Sequence, residues 1–165
     1  MRSFLPFLIW ISVGLALITW IYVNDVYPLD VAIGFISRAQ AAGYAELSIK
    51  YLREAIPLLP SSGNPVWLFP TARTDFMLIH SDLTSILDRL ETVAGLGRDT
   101  SAYSQALNDI RGRLGVVAGN IGEAMPYVMF SPFNTSLIFV WFLTLPIAYI
   151  VRRKVVRMRE RVVER

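Results

Sequence analysis

The sequence predicts an all-α membrane protein in which two transmembrane helices flank a small helical extracytoplasmic domain. Three observations carry this. The 165 residues are 54% hydrophobic and only 18% charged, against about 25% charged in ordinary soluble domains, and the mean hydropathy is +0.46. Two uncharged apolar runs lie near opposite ends of the chain. Between them, apolar residues recur at helical spacing.

Residues 1–3 form a short N-terminal flank bearing Arg2. The first run, residues 4–23, reads "FLPFLIWISVGLALITWIYV". About twenty apolar residues suffice for a helix to cross a bilayer. Pro6 falls in the first turn, where a missing N–H is harmless. Trp20 and Tyr22 lie near the distal end, where amphipathic rings favour the headgroup level. A cleaved leader is the competing interpretation. The long run, the single Arg2 and the mid-run position of the small residues Ser12, Gly14 and Ala16 argue against it.

Residues 24–132 make the middle domain. Asp30 is placed to cap a helix beginning after "YPL", and Gly43 divides the region before Leu59 into two pieces. Tyr44, Leu47, Tyr51, Leu52 and Ala55 gather near one face of the second piece. The segment "NPVWLFPTARTD" follows. Proline at positions 65 and 70 breaks helical pairing, so Val66, Trp67, Leu68 and Phe69 belong to a loop. Such a loop is expected to close the small core, dip into the membrane interface or pack against another membrane protein. Thr74 is placed to cap the next helix, with Asp75 in its first turn. Phe76, Ile79, Leu83, Ile86, Leu87, Leu90 and Val93 form that helix's apolar stripe. "GLGRDT" ends it and opens another, whose stripe is Tyr103, Leu107, Ile110, Leu114, Val117 and Ile121.

Gly112, Gly115, Gly119 and Gly122 recur three or four residues apart along the last helix. Each costs about 1 kcal/mol against alanine in a helix interior. Their row predicts close approach by another helix. Pro126 and Pro132 are expected to break the link "MPYVMFSPFN", which should lie at the outer membrane surface. The second span, residues 133–151, carries Pro146 as a kink.

Residues 152–165 form a basic tail. Arg152, Arg153, Lys154 and Arg157 are the expected anchor on anionic lipid, each worth about 1 kcal/mol near the surface; this is the simpler alternative to nucleic-acid binding. The middle domain holds eight Lys and Arg against eleven Asp and Glu. Basic flanks stay inside, so the protein is expected to be multi-pass in the cell membrane with both termini cytoplasmic.

Chemistry is sparse. Cysteine is absent and His80 is the single histidine, and His80 sits beside an apolar stripe, where a structural role is expected. No phosphate-binding glycine loop, nucleophile elbow or paired carboxylate motif appears. Neither span carries an acidic or basic side chain, which argues against an ion path. The expectation is a non-enzymatic protein without cofactor or metal. It would act through contacts with other membrane subunits, using Trp67, Leu68, Phe69, Gly112, Gly115 and Gly119, as an accessory or structural subunit. The alternative is a sensor-like module: a helical domain between two spans resembles in outline the ligand-binding half of chemoreceptors and sensor kinases. Only fourteen residues follow Val151, so signalling would pass through a partner.

Overall fold

The computed structural model describes the backbone of residues 5–163 and the side chains of residues 5–155. The N-terminal flank with Arg2, and the Arg157 side chain, lie outside the described residues. Every regular element among those described is helical. The chain divides into two units: Trp20–Ser131, and the segments before Trp20 and after Ser131.

The unit outside Trp20–Ser131 pairs α1 (Leu5–Ile21, taken to Thr19) with α6 (Pro132–Val163). Both are long and apolar enough to cross a membrane by length and composition. They run antiparallel and meet through tryptophan. Trp10 and Trp141 stack with ring centroids 4.0 Å apart and planes 13° from parallel. Gly14, one turn beyond Trp10, lies under the Trp141 indole, where any Cβ would overlap the ring. Small-residue packing and interhelical hydrogen bonds hold the two helices together. Pro146 lies inside α6, and the helix continues past it to Val163.

The unit Trp20–Ser131 is an up-down-up-down four-helix bundle. Its helices are α2 (Tyr27–Ala41), α3 (Ala45–Ala55), α4 (Phe76–Ala94) and α5 (Ser101–Met129). They pack in a ring, α2 on α3, α3 on α4, α4 on α5 and α5 back on α2. The predicted stripes form the core: Phe76, Ile79, Leu83, Ile86, Leu90 and Val93 of α4 face Tyr103, Leu107, Ile110, Leu114, Val117 and Ile121 of α5. Ala32, Ala39, Ala45 and Ala55 are fully buried and let α2 and α3 approach closely.

Four local expectations are corrected. Asp30 is not a cap: the chain is already helical through a π turn, Tyr22–Val26, that leads into α2, and Asp30 sits in the first turn of α2. The wide turn accommodates Pro28, whose ring would otherwise press on the carbonyl four residues back. Asp75, not Thr74, caps α4, accepting a hydrogen bond from the Met77 N–H at 2.9 Å. Pro126 does not break α5, which runs on to Met129; the ring forgoes one intrahelical bond, and only the last turn lies beyond it. The glycine row is the fourth, described below. Gly43 does divide α2 from α3, and Thr100 caps α5 by accepting from the Tyr103 N–H at 3.2 Å.

The junction at Gly43 satisfies its helix ends with side chains. The Ser48 hydroxyl donates to the Ala39 carbonyl at 2.9 Å, and Arg111 donates to the Ala42 carbonyl. The Tyr103 hydroxyl accepts from the Ala45 N–H at 2.9 Å. Terminal helix groups without intrahelical partners are thereby paired.

Candidate interaction surfaces

The α3–α4 connection, residues 56–75, turns at Gly63, whose φ of 100° suits glycine. The Gly63 carbonyl accepts from the Phe76 N–H at 2.9 Å. Beyond it the loop is held by three polar side chains. The Asn64 side-chain oxygen accepts from the Val66 N–H at 3.0 Å and from the Thr74 hydroxyl at 3.0 Å. The Asn64 amide donates to the Thr71 carbonyl at 2.7 Å, and the Thr71 and Thr74 hydroxyls lie 3.2 Å apart. Thr74 is buried, Asn64 half-buried and Thr71 exposed, so the clasp runs from the edge of the core to the surface. It closes the neck of the segment between Asn64 and Thr71.

The clasp sorts the apolar run. Val66 is 7% exposed and caps the core, whereas Trp67, Leu68 and Phe69 are 55%, 65% and 81% exposed. Core closure, one of the expected uses of this loop, therefore belongs to Val66 alone. The loop's place in the bundle follows from topology. It joins the end of α3 to the start of α4, so it lies at the end of the bundle where α2 begins and α5 finishes. Arg73, just past Phe69, reaches Glu123 near the end of α5 at 3.9 Å. The exposed triplet thus sits at the end of this unit through which the chain enters and leaves it.

The glycine row faces outward. Gly112, Gly119 and Gly122 have open space where a Cβ would stand. At Gly115 the nearest group is the amide end of the Gln40 side chain, 2.8 Å from the Cβ position. Among the described residues a neighbouring helix reaches this row only at Gly115, through the Gln40 side chain of α2, and Gly112, Gly119 and Gly122 are left open. The apolar stripe of α5 points inward, so its other face, with Val116 exposed beside the glycines, is left to the surroundings.

Arg152, Arg153 and Lys154 are exposed on α6, directly after Val151. Arg157 lies on the helical backbone of the same element.

Sequence reasoning missed a polar cleft of about 380 Å³ beside the Gly43 junction, lined in part by Tyr44, Arg98, Tyr103, Ser104, Asn108 and Arg111. Arg98 pairs with Glu46 at 2.6 Å and lies over the Tyr44 ring, 5.1 Å from its centroid. The hydrogen bond from Arg98 holds the Glu46 carboxyl below its ordinary value, and Glu46 in turn raises Arg98. Arg111 Nε is buried without a hydrogen-bond partner. The only signal in the sequence was Tyr103, whose hydroxyl sits on an otherwise apolar stripe. His80 is half-buried on α4, and no group of three or more metal-ligating side chains occurs among the described residues.

Comparison with protein-family models, curated proteins and solved structures finds no match to this chain. The functional reading therefore rests on these surfaces.

Proposed function

We propose that this chain is a non-enzymatic integral membrane protein and an accessory subunit of a membrane complex. α1 and α6 are its spans, both termini are cytoplasmic, and the helical bundle is extracytoplasmic. The observation that carries the reading is the Trp67-Leu68-Phe69 triplet, exposed on a loop whose shape is fixed by the Asn64–Thr71–Thr74 clasp. A fluid bilayer has no shape to match, so fixing the loop in advance adds little to lipid binding. A protein pocket rewards it, because preorganised aromatic anchors lose less freedom on binding. The open glycine face of α5 supports the same reading, since a partner helix can approach a backbone without Cβ atoms.

The test is isolation of the full chain from its native membrane in mild detergent, beside a variant with Trp67→Ser, Leu68→Ser and Phe69→Ser. A partner at fixed stoichiometry with the unaltered chain, lost from the variant, is expected. A lone monomer or homodimer overturns the subunit reading. Orientation is read separately: the chain has no cysteine, so a single cysteine at position 69 or 153 reports its side of the membrane by labelling. Labelling of both from the same side sinks the topology.

The sensor-like reading stands second, favoured by the cleft with its two guanidinium groups. Arg98 is engaged by Glu46 and Arg111 by the Ala42 carbonyl, which leaves less for a ligand than a free pair would. A thermal shift of the full chain with small carboxylates, abolished by Arg111→Gln, would promote it over the subunit reading.

A further inference from the structure

The antiparallel pair of α1 and α6 leaves a groove of about 650 Å³ on one side, within the range of small-ligand sites. Phe7 and Trp10 line it from α1, and Leu145, Ala148, Tyr149 and Arg152 from α6. The residues on α6 fall three or four apart, so they share one face. Ala148 is the small member of that face and leaves the gap. Two polar side chains beside the groove satisfy each other: the Trp10 indole N–H donates to the Thr144 hydroxyl at 2.9 Å, and that hydroxyl donates to the Trp141 carbonyl at 2.6 Å. Apart from the Tyr149 hydroxyl, the groove interior short of Arg152 is apolar in effect. Its end is not. Arg152 is exposed, and no ion pair joins Arg152, Arg153 or Lys154 among the described residues.

We propose that this groove seats one anionic phospholipid, with an acyl chain along Phe7, Trp10 and Ala148 and the headgroup phosphate on Arg152. Apolar length ending in a cation without an ion pair among the described residues matches the shape and charge of such a lipid. Guanidinium binds phosphate through paired N–H donors, so Arg152 fixes the headgroup while the tryptophan floor receives the chain. The inference rests on α1 and α6 lying in a bilayer and not on the identity of any protein partner.

The experiment is native mass spectrometry of the full chain in detergent, titrated with phosphatidylglycerol or with phosphatidylcholine of equal chain length. One phosphatidylglycerol is expected to bind about fivefold more tightly, the effect of one cation near the headgroup. Arg152→Gln removes that preference, whereas Lys50→Gln, an exposed cation on α3 outside the groove lining and the basic tail, keeps it. Ala148→Leu fills the groove and weakens both lipids alike. Equal affinity for the two lipids, a preference that survives Arg152→Gln or is lost with Lys50→Gln, or indifference to Ala148→Leu overturns the proposal. Extraction of the chain from membranes by alkaline wash alone would instead overturn the membrane reading beneath it.

Discussion

Trp10 and Trp141 hold each other by ring and by backbone. Their indoles stack at 4.0 Å, the Trp141 N–H donates to the Trp10 carbonyl at 3.2 Å, and the Trp10 N–H, shared with Thr144, reaches the Trp141 carbonyl at 3.3 Å. Each indole thus finds in the other helix a partner for its polar atom as well as for its ring. Trp10→Phe and Trp141→Phe are each expected to cost about 1–2 kcal/mol of helix-pair stability, from stacking and one interhelical hydrogen bond. Gly14→Leu, which drives a side chain into the Trp141 ring, is expected to cost about 1–3 kcal/mol. Denaturation in a mild detergent, followed by tryptophan emission, measures these losses; unaltered midpoints would sink the pairing.

Alanine at positions 112 and 119 is expected to stabilise the purified chain, by up to about 1 kcal/mol each, because open space receives the new methyl groups. The same pair is expected to weaken partner recovery if a partner helix uses that face. Gly115→Ala is expected to gain less, since the Gln40 amide must move aside. Chemical denaturation of the variants gives the first sign, and co-purification the second.

Tyr103→Phe removes the acceptor of the Ala45 N–H, a buried group at the start of α3. Losing one partner of a buried hydrogen bond costs about 1–3 kcal/mol, more than the small volume change alone. The expected loss is read from the denaturation midpoint, and faster amide exchange at the first turn of α3 locates it.

Glu46 and Arg98 give a pH signature. The lowered Glu46 carboxyl makes the ionised form the one that the folded state favours. Its contribution is therefore complete above the ordinary value of 4.5 and disappears as pH falls through the lowered one. Both side chains are exposed, so salt screens the pair. The midpoints of the unaltered chain and Arg98→Gln are expected to differ slightly at neutral pH and low salt, and to converge in acid or at about 1 M salt. A gap that widens in acid would contradict the pairing.

The helical stripes were legible because a core-facing helix writes its period directly into the chain, and every residue of the α5 stripe is buried. The cap at Asp75 and the π turn before α2 were not. Thr74 and Asp75 are both good caps, and the choice falls to Asp75 because Thr74 closes a short 3-10 turn, Ala72–Thr74, so that the helix opens one residue later. Pro28 reads as a helix start until a wide turn absorbs it. The glycine row was legible as a pattern but not as a direction, since spacing alone does not tell which face of α5 finds neighbours. Arg98, Tyr103 and Arg111 are near one another in the chain, but Gly43, Tyr44 and Glu46 reach them only when the bundle closes, so no local motif announced their cleft.

The Asn64–Thr71–Thr74 clasp has a further consequence. It grips the loop by its base, through backbone groups and through side chains outside the exposed triplet. What the loop displays is thereby uncoupled from what holds it in place. Residues 67–69 can change without disturbing the bundle, much as the bit of a tool is exchanged in a fixed chuck. A lineage carrying this fold could thus acquire new partners through three codons while its framework stayed the same.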